Sequence, residues 1–444
     1  MGLTSAVDWK VKTGIRRAYE SKFLRSVLIL CTGSALAQTV SVACTPVITR
    51  LYSPSDIGKF GVYLSIVGMI APVITLRYEA ALILPREDKA SANLAAASLI
   101  SAGVLSALVA VLLLAGWMIG IPVIHHHRDW LVILPFSCLI AAVAQTLYAW
   151  STRRKMFRRN SVSQVCRSMS MNGYQMAAGF AISSPLGLIV GNMLGDAVAC
   201  VTLLGQTIKG DLSLIRHSLS WTEIRHHAGE YKDFPLYNAP QHMLSQLSQC
   251  VPILLLSAMY SPAIAGFYSI TTRTLQMPMN LVMESLRQVY YQRTSEMLNS
   301  GNIKGVAHSM KRTTLALLGL AAIPTVAVAL WGEGLYSLVL GAKWATAGTF
   351  AGWIVLWYAA LFANLPAVCT LHVLRQQRFL LLFDCVSTAV RVSVLTLGFV
   401  INKPVMIVAL FSITCVVLNL CVAIAAARKL GRAGSANQEG AMTR

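Results

Sequence analysis

The chain is 444 residues long, 56% hydrophobic and only 12% charged, whereas a soluble domain carries about 25% charged residues. Its mean hydropathy of +0.62 leaves no room for a large water-soluble domain, so a soluble enzyme is excluded and a membrane protein is expected. The formal charge of +20 invites a nucleic-acid partner, but the placement of the charges argues against one.

Residues 1–25 are polar and basic and read as a cytoplasmic tail rather than a cleaved leader. Apolar runs of spanning length follow near 26–48, 59–84, 92–120, 130–151, 163–182 and 185–207. After a polar linker at 208–236 come six more, near 237–259, 262–285, 313–331, 347–371, 379–400 and 404–427, and then a tail at 428–444. About 20 apolar residues cross the hydrocarbon. The expectation is therefore an all-α polytopic protein with about 12 transmembrane helices, in an N-terminal six-helix lobe (26–207) and a C-terminal one (237–427). An even count puts both termini on one side. With that side cytoplasmic, 28 of the 37 Lys and Arg residues fall in cytoplasmic segments, densest in the first tail and in Arg153, Arg154, Lys155, Arg158 and Arg159. The basic character is thus a topology signal, and no nucleic-acid partner is expected.

The ten cysteines lie mostly in apolar runs with no CxxC pair, so neither a disulfide framework nor a metal site is expected. His125, His126 and His127 read as an exposed turn. No GxxxxGK[ST], GxSxG or HExxH motif occurs, so the chain reads as a transporter without an ATPase or catalytic site, and no cofactor is implied. Transport would draw on an H⁺ or Na⁺ gradient, the membrane potential or consumption of product.

Tyr52-Ser53-Pro54 with Gly58 and Phe60 recurs, 208 residues on, as Tyr260-Ser261-Pro262 with Gly266 and Tyr268. The same offset carries Ser34, Gln38 and Ser41 onto His242, Gln246 and Gln249. Two pseudo-symmetric halves are expected, with the first and seventh helices in register. Ser34, Gln38 and Ser41 have helical spacing, as do Asn238, His242 and Gln249, so each set lies along one helix face. Such a stripe either joins packed helices or lines a watery cavity that could receive sugars.

Eight charged residues fall inside spans: Arg77, Glu79, Arg167, Asp196, Arg273, Glu284, Asp384 and Arg391. Each costs at least about 2.5 kcal/mol at a helix centre, so each requires a partner or a function. Arg273 is the first substrate-site candidate, with Glu284 eleven residues on and nearly in line. Arg77 is either a ligand or snorkels to the inner surface. Glu79, two residues on, points to a nearly opposite helix face and is not expected to pair with it. Asp384 and Arg391, seven apart, suggest a structural network, and Arg167 is expected to snorkel. Asp196 appears as a lone mid-span carboxylate and is the first coupling candidate, ahead of Glu79 and Glu284.

The segment PVITRLYSPSDIGKFGVYLSIVGMIAPVITLRYEAALILPREDKASANL, residues 46–94, resembles the N-terminal signature of Wzx-type polysaccharide (O-antigen) flippases, members of the multidrug/oligosaccharidyl-lipid/polysaccharide exporter superfamily. Its carriers are Thr49-Arg50-Leu51-Tyr52-Ser53-Pro54, then Gly58 and Phe60, and Leu76-Arg77-Tyr78-Glu79 before Leu84-Pro85. The resemblance implies a V-shaped, MATE-like bundle of two lobes around a central cavity in the bacterial inner membrane. It implies a substrate of undecaprenyl diphosphate carrying an oligosaccharide repeat unit, moved from the cytoplasmic to the periplasmic leaflet for O-antigen, capsule or exopolysaccharide. Its partners would be membrane lipids, a polysaccharide polymerase and a chain-length regulator. In the lipid II flippase relatives cavity arginines hold the diphosphate, which implies that role for Arg77 and Arg273. Two alternatives stand beside it, a MATE-like drug/cation antiporter and a membrane polymerase or ligase acting on the same lipid.

Overall fold

The computed structural model describes residues 32–121, 128–374 and 376–442. The first tail, the start of the first span and His125–His127 lie outside these. The described residues contain helices and no strand. In the first half they are α1 (32–51), α2 (Pro54–Ile74), α3 (Tyr78–Ala81), α4 (Asp88–Met118), α5 (Arg128–Leu131), α6 (Leu134–Arg153), α7 (Phe157–Ala181) and α8 (Pro185–Ser218). A linking helix α9 (Trp221–Glu230) and a π-helical turn (Phe234–Asn238) lead into α10 (Ala239–Met259). Then follow α11 (Pro262–Asn299), α12 (Ile303–Leu340), α13 (Ala345–Ala363), α14 (Leu365–Val373), α15 (Gln377–Thr396) and α16 (Pro404–Met442). Among the described residues each of the twelve runs read from hydropathy contains helix, and nine helices are long and apolar enough to cross a membrane.

The chain forms two compact units, one of Met1–Cys44 with Tyr63–Leu247, the other of Thr45–Val62 with Ser248–Arg444. In the first, α8 packs along α7 and against α6, α6 against α4, and α9 against α4. Between membrane helices the hydrophobic effect contributes little, so close packing and polar contacts hold them together. The α7–α8 contact depends on Gly191 and Gly195. A Cβ on Gly191 would lie 2.5 Å from Gln175 Cγ, and one on Gly195 would lie 2.9 Å from Met171 Cβ and 3.1 Å from the Arg167 carbonyl. Gly187, Gly191 and Gly195 form a small-xxx-small series on α8, a signal that reading for charge and hydropathy alone passes over.

At one end of this unit the basic run after α6 is more than a topology signal. Asp211, only 1% exposed, accepts from Arg154 at 3.2 Å, Arg159 at 3.1 Å and Trp150 Nε1 at 3.3 Å. Arg153 and Arg154 also pair with Asp88 at the start of α4. These pairs fasten α4, α6, α7 and α8 together.

In the second unit α12, α13 and α16 pack on one another, α11 packs on α13 and α14, and α15 packs on α16. Its centre is Leu256, Tyr268, Phe350, Ile354 and Phe411. The repeated Tyr-Ser-Pro turn has a capping explanation. Ser53 Oγ accepts from Asp56 N at 3.2 Å while Asp56 Oδ2 accepts from Ser53 N at 3.1 Å. Ser261 Oγ likewise accepts from Ile264 N at 3.4 Å. Pro54 and Pro262 occupy the first helical position, where no amide donor is needed. The last turn of α1 is pinned in this unit by Trp344 Nε1 to the Thr49 carbonyl (2.8 Å) and Lys343 Nζ to the Tyr52 carbonyl (2.7 Å).

Candidate functional site

In the first unit, α2 is interrupted where the sequence places Arg77. Pro72 has no amide hydrogen, so the carbonyl of Gly68, four residues back, has no helical donor. Gln246 Nε2 supplies one at 3.3 Å. The helix ends at Ile74, Thr75 Oγ1 donates back to the Pro72 carbonyl at 2.9 Å, and Leu76 and Arg77 enter the left-handed region with φ of 52° and 60°. A non-glycine residue there costs about 1 kcal/mol or more and persists only where its surroundings hold it.

Arg77 is held on two sides. Its Nη1 donates to Glu79 Oε1 and its Nε to Asn238 Oδ1, both at 3.0 Å. The i,i+2 spacing that would separate Arg77 from Glu79 on a continuous helix is overridden because the helix is broken between them. Glu79 is 5% exposed, and its Oε2 has no hydrogen-bond partner among the described residues. A guanidinium has five donors and these bonds use two, so three remain for an acceptor that approaches from elsewhere. Asn238 closes the π-helical turn, where the Ala239 amide reaches the Phe234 carbonyl five residues back. Pro240, without an amide hydrogen, follows at once. Asn238, His242 and Gln246 are then spaced by four from the π-helical turn into α10, and two of the three engage α2 and its broken end.

A second polar centre lies in the same unit. Asp196 is buried but not alone: Arg167 Nε donates to its Oδ1 at 2.6 Å and Asn192 Nδ2 to its Oδ2 at 3.3 Å. Arg167, read from the sequence as snorkelling, is instead turned to α8. The glycine series brings its backbone there, so the pair forms across the α7–α8 contact. Leu64, Val67, Gln145 and Tyr148 complete, with these side chains, a cavity of about 210 Å³, large enough for several waters. Asp196→Asn should cost on the order of 3 kcal/mol by leaving Arg167 without its counter-charge. Arg167→Gln with Asp196→Asn should recover most of that loss. Melting midpoints of the single and double variants give the coupling, and equal midpoints would disprove the pair.

The stripe on α1 divides. Ser34 Oγ donates to Gln164 Oε1 at 2.6 Å, and Ser41 meets Ser168 at 3.0 Å and Asn172 Nδ2 at 3.2 Å, so both join α1 to a matching stripe on α7. Gln38, between them, has a buried Oε1 with no hydrogen-bond partner among the described residues.

In the second unit Arg273 is half-buried on α11, beside Thr274, whose hydroxyl meets Tyr336 at 2.6 Å. Glu284 lies further along α11, its side chain outside those described. Gln249 is exposed on α10. Asp384 and Arg391 share α15, and no ion pair joins them among the described residues; Ser248 of α10 instead ties to α15 at Thr388, 2.9 Å away.

Similarity to known structures fits this frame. An inward-facing multidrug resistance MATE transporter of the MOP superfamily superposes with a TM-score of 0.68 at 14% identity, over 90% of this chain and 96% of that one. The lipid II flippase MurJ, in an inward closed conformation, gives 0.66 at 9% identity, over 90% and 87%. A MOP superfamily transporter from Pyrococcus furiosus gives 0.58 at 13%, over 93% and 96%. None of the curated protein sequences compared with the chain matches it. The protein is therefore a multi-pass membrane protein with the fold of the MOP-superfamily transporters. A family model described as polysaccharide biosynthesis protein matches residues 47–349, more than half of the chain, and the chain belongs to that family.

Proposed function

We propose that the protein is a flippase that carries an undecaprenyl-diphosphate-linked oligosaccharide repeat unit from the cytoplasmic to the periplasmic leaflet of the bacterial inner membrane, by alternating access, for a surface polysaccharide. The observation that carries this reading is Arg77. A membrane-depth guanidinium is held in a left-handed backbone turn by Glu79 and Asn238, with donors to spare. A diphosphate is the acceptor such a fork fits, because guanidinium binds phosphate oxygens bidentately. Membership of the polysaccharide biosynthesis family supports a glycan-bearing lipid. Arg273 on α11 would be the second diphosphate ligand.

Gln38, His242, Gln246 and Gln249 would meet the sugars, while Ser34 and Ser41 would contribute by fixing α1 to α7. Coupling to an H⁺ or Na⁺ gradient would act through Asp196, Glu79 or Glu284. The positive-inside distribution supports cytoplasmic termini.

Deleting the gene should make lipid-linked repeat units accumulate in the cytoplasmic leaflet, and the wild-type chain should restore their passage. A deletion strain with normal surface polysaccharide and altered drug sensitivity would instead support the drug/cation antiporter.

A further inference from the structure

The helices α11 and α12 each have 38 residues, about 57 Å at 1.5 Å per residue, where the hydrocarbon is about 30 Å thick. The excess is at the end where they are joined: basic residues resume on α11 at Arg287, and α12 stays basic until Arg312. At that border, wholly inside the second unit, a cavity of about 550 Å³ opens between the two helices. Arg293 of α11 and His308 and Arg312 of α12 line it, Ser309 adds a hydroxyl, and Leu286 and Leu317 form its apolar side. Among the described residues no acidic side chain lines it. Among the described residues none of the three basic side chains has a hydrogen bond or an ion pair, and the nearby Glu296 is bonded to Gln292 at 3.0 Å. One turn further into the apolar part of α12, Leu315 is 57% and Leu318 44% exposed.

We infer that this cavity is a binding site for the headgroup of an anionic phospholipid of the surrounding leaflet. The charge is complementary: two guanidinium groups and an imidazole, with no carboxylate among them, are offered to a phosphodiester. The depth is right, because the site straddles the change from apolar to basic sequence, where headgroup phosphates lie. The exposed leucines beyond it give the acyl chains a surface. Basic pockets between membrane helices on the cytoplasmic side bind anionic headgroups on these terms, and the positive-inside distribution assigns this end to that side.

The test is native mass spectrometry of the full-length protein titrated with phosphatidylglycerol, phosphatidylcholine or undecaprenyl diphosphate, for the wild type and for Arg293→Gln with Arg312→Gln. The wild type should bind phosphatidylglycerol at least about 10-fold more tightly than phosphatidylcholine, and the double variant should lose about 30-fold for phosphatidylglycerol only. Both arginines are exposed, so the variant should keep the wild-type melting midpoint in phosphatidylcholine nanodiscs. Equal binding of phosphatidylglycerol by wild type and variant would overturn the site. A loss confined to undecaprenyl diphosphate would overturn the phospholipid assignment and give the cavity to the flippase substrate.

Discussion

The variant carrying both Arg77→Gly and Glu79→Gln should reach the membrane at wild-type abundance and yet translocate lipid-linked oligosaccharide about 100-fold more slowly. On the proposed function Arg77 has two duties that must be separated. It pairs with Glu79, which is 5% exposed and has one oxygen without a hydrogen-bond partner among the described residues, and on the proposed function it would offer its remaining donors to the substrate. Removing the arginine alone would leave a buried carboxylate uncompensated, at a cost of about 3 kcal/mol. Lost transport would then say nothing about diphosphate. Glutamine at position 79 removes that charge.

Glycine is the better replacement at position 77 because φ is 60° there, where alanine would keep the strain and glycine relieves it. What remains missing is the guanidinium fork, whose charge-assisted bonds contribute about 1.5–3 kcal/mol each. Arg77→Lys should fall between the two, since an ammonium keeps the charge but not the bidentate geometry. The rate is read in proteoliposomes loaded with labelled lipid-linked oligosaccharide. Wild-type translocation by the double variant would end the diphosphate role.

The sequence disclosed depth well and neighbours poorly. Nine of the runs read from hydropathy match helices among the described residues that are long and apolar enough to cross a membrane, because about 20 apolar residues are a requirement of the bilayer that no tertiary contact overrides. The Tyr-Ser-Pro repeat was visible because helix capping is local chemistry, a serine side chain and a proline within four residues. Ion pairing was not visible. Arg167 and Asp196 lie 29 positions apart on different helices, and only the packing of Gly191 and Gly195 brings them together. A polar side chain at membrane depth announces that it needs a partner, but not which helix supplies it.

Arg77 and Glu79 failed for a different reason. A helical wheel assumes a continuous helix, and Pro72 with two left-handed residues ends that assumption at Ile74. The same proline explains Gln246. Its candidacy as a sugar ligand came from its place on a polar stripe, and the structure adds a bond to the carbonyl that Pro72 leaves without a donor. The stripe on α1 was legible as a face, yet only its partner on α7 shows that Ser34 and Ser41 serve the contact between helices.

Gly58→Ala should destabilise the protein by about 3 kcal/mol, and Gly266→Ala by a similar amount. Within the second unit, the starts of α2 and α11 cross at these two residues, which the repeat relates. A Cβ on Gly58 would lie 1.7 Å from the Pro262 carbonyl oxygen, and one on Gly266 would lie 1.9 Å from the Pro54 carbonyl oxygen. Both obstacles are backbone, so no side chain can swing aside, and the helices would have to separate by more than an ångström. That separation would disturb the serine caps and the contact of Gly61 with Ser269, whose Oγ a Cβ on Gly61 would meet at 3.0 Å. Once one methyl has parted the helices the second costs less, so the Gly58→Ala, Gly266→Ala double variant should lose clearly less than the sum of the singles. Gly103→Ala is the control. It sits mid-helix on α4 with nothing within 4 Å of its Cβ position, and alanine there should be neutral or stabilising by up to about 1 kcal/mol. Melting midpoints of the detergent-solubilised variants decide the matter: if Gly58→Ala and Gly103→Ala melt together, the close crossing does not exist. If Gly58→Ala melts several degrees lower, the reciprocal glycines explain why the repeat preserves Tyr-Ser-Pro and a glycine four residues after the proline. The cap sets where each helix begins, and the glycine lets the two beginnings touch.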